Sequence, residues 1–164
     1  MSVSTPEQLA EHFEVTEVRA EDQGRRYNVA PTLDVYAVIE RDGSRRLGTL
    51  RWGFVPFWAK QLKGSPSPIN ARIESIDDKM FGRAFERHRC LIPADGFYEW
   101  REREGRRKQP YYIHDPDDRP LAFAGLWTVW RDPEAGEDAP PLYSCAIVTM
   151  PAKGPIADLH DRMP

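Results

Sequence analysis

The chain has 164 residues with 23 Lys plus Arg, 26 Asp plus Glu, a formal net charge of −3 and 40% hydrophobic residues, the profile of one ordinary globular domain. A domain of this length buries roughly 70% of the surface of its unfolded chain; it needs no disulfide framework or structural zinc, and its two cysteines, Cys90 and Cys145, are too few for either. No apolar run approaches the roughly 20 residues of a membrane span and the start, MSVSTPEQLAEHF, lacks the regions of a secretory signal, so a reducing cytoplasm is the expected compartment.

Ser4-Thr5-Pro6-Glu7-Gln8 predicts a helix start, with a hydroxyl cap, a proline whose missing N–H costs nothing, and acid in the first turn. Leu9 and Phe13 supply its buried stripe. Short apolar or alternating runs then predict strands at Val35 to Ile39, Leu47 to Phe54, Phe97 to Trp100, Tyr111 to Ile113, Leu121 to Trp130 and Tyr143 to Thr149. Arg41-Asp42-Gly43-Ser44 and Glu104-Gly105 lie between paired runs, as hairpin loops do. Further helix is expected over Ile76 to Arg89 and in a short piece after Pro155. The fold class is therefore α+β, a mostly antiparallel β core with a few flanking helices, in a single domain over 1–164. The 15 prolines are scattered, and Ala30-Pro31-Thr32, Val55-Pro56-Phe57 and Ile92-Pro93-Ala94 read as rigid connections. The final His160-Asp161-Arg162-Met163-Pro164 offers no helix or strand to close a sheet, and the domain is expected to be incomplete there.

Charge is unevenly placed. Basic residues collect in Arg83 to Arg89 and Arg101 to Lys108, while Asp132 to Asp138 is an acidic, loop-like run. Glutamates interrupt both basic runs, so each fits a mixed solvated face as well as a local patch that net charge does not report. There is no P-loop, G-x-G-x-x-G, G-x-S-x-G or His-Glu-x-x-His. His12, His88, His114 and His160 are far apart and have no carboxylate at metal-ligand spacing, so neither a metal nor a cofactor is expected.

What remains is a series of dense polar-aromatic words: Arg26-Tyr27-Asn28-Val29-Ala30-Pro31-Thr32, Arg51-Trp52-Gly53-Phe54-Val55-Pro56, Ile69-Asn70-Ala71-Arg72-Ile73-Glu74, the run from Cys90 through Ala94-Asp95-Gly96 to Phe97-Tyr98-Glu99-Trp100, and Leu159-His160-Asp161-Arg162-Met163-Pro164. On pattern alone, Glu99 also fits the solvent-facing position of an alternating strand, His160 a surface residue or helix cap, and Asn70 a turn. In this order and at these separations, the words resemble the SRAP family, the SOS-response-associated peptidase-like proteins that shield abasic sites in DNA. The resemblance covers nearly the whole chain.

The resemblance implies a polar pocket around an N-terminal cysteine, with Asn70, Glu99 and His160 at the matching catalytic positions. An abasic sugar opens to an aldehyde; a free α-amine attacks it to give an imine, and a thiol on the same residue closes a thiazolidine ring. Glu99 is then the expected proton shuttle for amine attack and water loss, and His160 the acid that protonates the ring oxygen and assists reversal. Asn70 would hold the amine in line. Autocatalytic removal of the initiator methionine by the same carboxylate is also implied.

The implied partner is single-stranded DNA carrying abasic sites, with a monomeric protein that is nucleoid-associated when bound; replication-fork proteins are a further class of partner. Arg72 is the expected phosphate ligand, Trp52, Trp58, Asn28 and Pro31 the wall where the strand bends, and Thr149 and Arg162 additional contacts. Trp52 and Trp127 fit core aromatics equally well. The chain departs from the family at its start, where Met1-Ser2-Val3-Ser4 stands and Met-Cys-Gly-Arg does not. Ser4-Thr5-Pro6-Glu7 matches the stretch a few residues after that cysteine in the family, so the family's opening is expected upstream of Met1. The alternatives are a homologue that binds DNA without crosslinking, and a weaker imine formed by Ser2. Neither Cys90 nor Cys145 can substitute, since an internal cysteine has no free amine beside its thiol.

Overall fold

Thr5 caps the first helix, α1 (Pro6–His12): its hydroxyl accepts the Gln8 N–H at 3.3 Å while the Gln8 side chain accepts the Thr5 N–H at 2.9 Å. Leu9 and Phe13 pack from this helix onto Tyr36, Val38 and Leu47. These belong to β2 (Asp34–Arg41) and β3 (Ser44–Trp52), an antiparallel hairpin whose turn residues Asp42 and Gly43 both have positive φ, 54° and 73°. That is the geometry a two-residue hairpin loop demands, and Asp-Gly supplies it at low cost. The structure, a computed structural model, describes residues 1–102, 105, 107–136 and 138–164.

The sheet continues from β2 through β5 (Arg89–Ala94) and β8 (Leu121–Trp130) to β9 (Leu142–Pro151), each step antiparallel. It then returns to β3 by a parallel pairing of Arg51 with Ser144 and Trp52 with Cys145. The five strands thus close into a small barrel. Alternate residues form its interior, where Ala37, Leu50, Cys90, Ile92 and Cys145 are buried and Val35, Ile39, Trp52, Phe123, Trp127 and Ile147 pack against them. A Cβ on Gly125 would lie 2.8 Å from Ile92 Cδ1 and 2.9 Å from Cys90 Sγ, so the interior is filled there. Short flanking strands complete the sheet: β1 (Glu17–Val18) and β4 (Asn70–Arg72), parallel to β3 and β9, and β10 (Arg162–Met163), antiparallel to β9.

Several expectations are corrected. Ile92-Pro93-Ala94 is part of strand β5 and not a connection; Pro93 sits opposite Ala122. Helix over Ile76 to Arg89 reduces to α2 (Gly82–Arg87), with a separate 3₁₀ turn before that range at Ile73–Ser75, because one Asp78 carboxylate oxygen accepts the Met80 and Phe81 N–H groups and turns the chain ahead of α2. The chain's last residues do form a strand, β10. The piece after Pro155 is a 3₁₀ turn, Gly154–Asp158. β6 (Phe97–Arg101) and β7 (Gln109–Ile113) make the expected hairpin, which forms a two-stranded sheet of its own. Glu104 of its predicted turn, Arg103 and Arg106 of the basic run and Glu137 of the acidic run lie outside the described residues. Among the described residues no helix is long and apolar enough to cross a membrane.

Candidate active site

One mouth of the barrel opens into a cavity of about 480 Å³. Val35, Ile92, Phe123 and Ile147 come from the barrel interior to form its apolar floor, and polar residues from four sequence-distant words stand around it.

Asn70 begins β4, and the three-residue pairing of that strand with Ile147 to Thr149 fixes its place. Ala71 is fully buried, so strand alternation turns Asn70 and Arg72 to the same exposed side. Glu99 is the third residue of β6 and shares a face with Phe97, whose ring meets Phe123 edge-on at 5.7 Å. That contact seats the strand over the barrel mouth and leaves Glu99 half-buried in the cavity wall. Its carboxylate has no hydrogen-bond or ion-pair partner among the described residues. His160 lies where the 3₁₀ turn runs into β10. Its Nδ1 accepts the Arg162 N–H at 3.0 Å and lies 3.1 Å from Asp161 Oδ1. Nε2 is the ring nitrogen left without a protein partner among the described residues, and a proton carried there is available to a bound molecule.

The chain's amino end closes the arrangement. The Met1 α-amine donates to Gly96 O at 2.8 Å, next to the strand that carries Glu99. Burial pushes the pKa of this amine down; the Asp95 charge opposes the shift and the Arg26 charge adds to it. Asp95 holds the following residues. Its carboxylate accepts the N–H groups of Val3 at 2.7 Å and Ser4 at 3.2 Å together with the Ser4 hydroxyl, while its own N–H donates to Met1 O. Ser2 pairs with Arg26 through two backbone bonds on the other side.

A sequence-family model described as SOS response associated peptidase (SRAP) matches residues 1–164. The chain belongs to the SRAP family. Over 139 residues it is 42% identical to Abasic site processing protein YoqW of Bacillus subtilis (strain 168), a match covering 84% of this chain and 60% of that protein. It is 36% identical over 140 residues to Abasic site processing protein YedK of Escherichia coli (strain K12), covering 85% of this chain and 59% of the relative. The chain thus spans about 60% of the length of these relatives. Among solved structures, a phage-related protein from Bordetella bronchiseptica superposes with a TM-score of 0.70 at 34% identity, over 98% of this chain and 72% of that one. A protein from Bacteroides thetaiotaomicron shares the fold with a TM-score of 0.83 at 24% identity, over 100% of this chain and 73% of that one.

Of the remaining residues singled out in this SRAP sequence, Asn28, Pro31, Trp52, Thr149 and Arg162 line the same cavity, and Arg72 and Trp58 do not. Trp52 is turned inward, its indole N–H donating to Ile69 O at 3.0 Å. Arg72 is exposed beside Asn70 and makes no ion pair among the described residues. Trp58 is half exposed in a loop that reaches along the barrel, where its neighbour Ala59 accepts the Trp130 indole N–H at 2.7 Å. Arg162 is committed within the protein, to Glu74 and to Thr149. Cys90 and Cys145 are buried in the barrel; burial raises both thiols, that of Cys145 to about 12 with Asp34 adding, and Cys145 adds to the shift at Cys90.

Asp95 and Gly96 belong to one of the polar-aromatic words, yet sequence reasoning attaches no role to either. Ala94-Asp95-Gly96 is nevertheless legible as an acceptor-bearing turn. A Cβ on Gly96 would lie 2.5 Å from the Tyr112 ring, whose hydroxyl donates to Asp95 O at 2.8 Å. Glycine there lets the hairpin close over the amino-terminal segment.

Proposed function

We propose that this chain processes abasic sites in single-stranded DNA, with the barrel-mouth cavity as the place where the opened sugar meets an amine. The reading is carried by one observation: Asn70, Glu99, His160 and the chain's amino end come from far apart in the sequence and share one cavity. The names of the relatives, abasic site processing proteins, support it.

In this reading the α-amine adds to the C1′ aldehyde. Glu99 takes the proton released from nitrogen and returns it to the leaving hydroxyl as water departs and the imine forms. Asn70 orients the amine with a neutral donor and acceptor. His160 protonates the sugar ring oxygen through Nε2 during ring opening. A cysteine side chain on the attacking residue then adds its sulfur to the imine carbon and its proton to the imine nitrogen, closing the thiazolidine. Ser2 stands at the family's cysteine position by number, and in this reading a Cys-Gly-Arg opening placed ahead of the chain enters the cavity beside Gly96. Removal of an initiator methionine uses the same carboxylate. Arg72, beside Asn70 and free of internal partners among the described residues, takes a flanking phosphate.

The test mixes the chain extended by Met-Cys-Gly-Arg with a single-stranded oligonucleotide holding one abasic site and separates the products on a denaturing gel. A shifted band that survives denaturation, vanishes with that cysteine changed to alanine and forms more slowly in Glu99→Gln supports covalent processing. Native-gel binding without a denaturation-resistant band supports the second reading, a homologue that binds abasic or single-stranded DNA without crosslinking.

A further inference from the structure

The cavity uses one mouth of the barrel. β5 runs from Arg89 to Ala94, and Ala94 lines the cavity, so Arg89 stands about 17 Å away at the opposite rim. There the strand register assembles an uncommon group. Val38 faces Leu91, and the same antiparallel register continued carries Arg41 opposite His88. The Trp127 N–H donates to His88 O at 2.9 Å, which places the indole beside that histidine on the next strand.

Flat rings and cations meet at this rim around His88. The His88 ring stacks on Trp127 at 4.5 Å with 29° between planes, and Tyr143 follows at 6.3 Å with nearly half its surface exposed. Arg83 and Arg87, one helical turn apart on α2, are both exposed and form no ion pair among the described residues. The Arg83 guanidinium lies 4.9 Å above the exposed Phe57 ring. Arg41 has only a long contact, 3.7 Å, with the equally exposed Asp42. After burial, the charges of Arg83, Arg87 and Arg41 all depress the pKa of His88, as expected for cations gathered around it. Acidic residues stand among them: Glu86 between Arg83 and Arg87, Glu40 and Asp42 on either side of Arg41, and Asp132, Glu134 and Asp138 in the loop that joins β8 to β9 just before Tyr143. None of these residues lines the cavity.

Exposed arginines set beside exposed rings match a single strand of nucleic acid, whose phosphates need cations and whose bases need flat surfaces. We propose that the far rim of the barrel, built from Arg41, Arg83, Arg87, His88 and Tyr143, is a second single-stranded nucleic-acid contact that holds the strand beyond the cavity. The inference rests on the reading of the cavity as a DNA site.

Fluorescence anisotropy with single-stranded oligonucleotides of two lengths, about 6 and about 30 nucleotides, each with a central stable abasic analogue, tests it on the chain as it stands. The long strand is expected to bind more tightly than the short one. The double variant Arg83→Glu/Arg87→Glu is expected to lose about tenfold on the long strand, to flatten its salt dependence by about 1.4 in log–log slope, and to leave the short strand unchanged. Tyr143→Ala is expected to weaken only the long strand as well, without altering net charge. Equal binding of the two lengths by the parent, or a long-strand affinity unchanged in both variants, overturns the proposal. Failure of every version to bind either length overturns the cavity reading along with it, whereas tight short-strand binding with no rim effect overturns the rim alone.

Discussion

Arg162 grips Glu74 in a fork, with Nη1 donating to Glu74 Oε1 at 3.0 Å and Nη2 to Glu74 Oε2 at 2.9 Å. The same side chain donates to Thr149 O at 2.7 Å and to Thr149 Oγ1 at 3.3 Å. Glu74 belongs to the word that contains Asn70, and Arg162 to the word that contains His160. A planar bidentate pair thus ties two catalytic candidates together from 88 residues apart.

Arg162 is accordingly a positioning residue in this account, and a phosphate contact only if the fork opens. Arg162→Lys keeps the charge but loses the fork. The expected result is adduct formation slowed about tenfold or more in the extended chain, with affinity for undamaged single-stranded DNA nearly unchanged. A parallel loss of both would make Arg162 a DNA ligand.

The fork is also acid-sensitive, with a defined sign. The hydrogen bond from Arg162, then one from its own backbone, hold the Glu74 carboxyl below its ordinary pKa, and the charges of Arg162 and Arg72 add to this. A group depressed in the folded state contributes stability above its unfolded pKa and loses it as pH falls through the folded one. Activity is therefore expected to fall on the acid side in a step that Glu74→Gln removes, read from a pH–rate profile of the two proteins.

Asp95 accepts three donors from the amino-terminal segment. Asp95→Ala leaves those groups without their charged acceptor and is expected to cost about 2 kcal/mol or more, measured by urea unfolding. Amide exchange at Val3 and Ser4 is expected to accelerate, while that at Leu126, in the barrel wall, stays slow.

The barrel interior makes two further expectations concrete. Gly125→Ala brings a methyl within 3 Å of Ile92 and Cys90, an overpacking worth about 1–3 kcal/mol of destabilisation by the same unfolding assay. Cys90 and Cys145, buried and with raised pKa values, are expected to resist a thiol reagent in the native protein at mildly alkaline pH and both to react once it is unfolded.

Local chemistry is readable wherever the sequence carries its own reason. Thr5-Pro6 with Gln8 spells a capped helix, and Asp42-Gly43 a tight hairpin. The cavity residues Asn70, Glu99 and His160 are legible as family words, and their company in one cavity is not, since it depends on pairings between distant segments. Pro93 hides β5 because proline is expected outside strand interiors, although here its missing N–H is tolerated opposite Ala122. β4 is too short to show a period. Barrel closure through Arg51 and Trp52 against Ser144 and Cys145, and the Arg162–Glu74 fork, join residues about 90 positions apart and leave no trace in local pattern. Asp78 interrupts the predicted helix over Ile76 to Arg89 by offering the backbone a competing acceptor.

The most direct measurement is a crystal structure of this chain with a single-stranded oligonucleotide carrying a stable abasic analogue at its centre. The analogue's sugar is expected in the barrel-mouth cavity, within hydrogen-bond reach of Glu99 and of His160 Nε2, with a flanking phosphate on Arg72. A strand bound elsewhere on the surface, with its abasic position outside the cavity, would contradict the assignment of these residues.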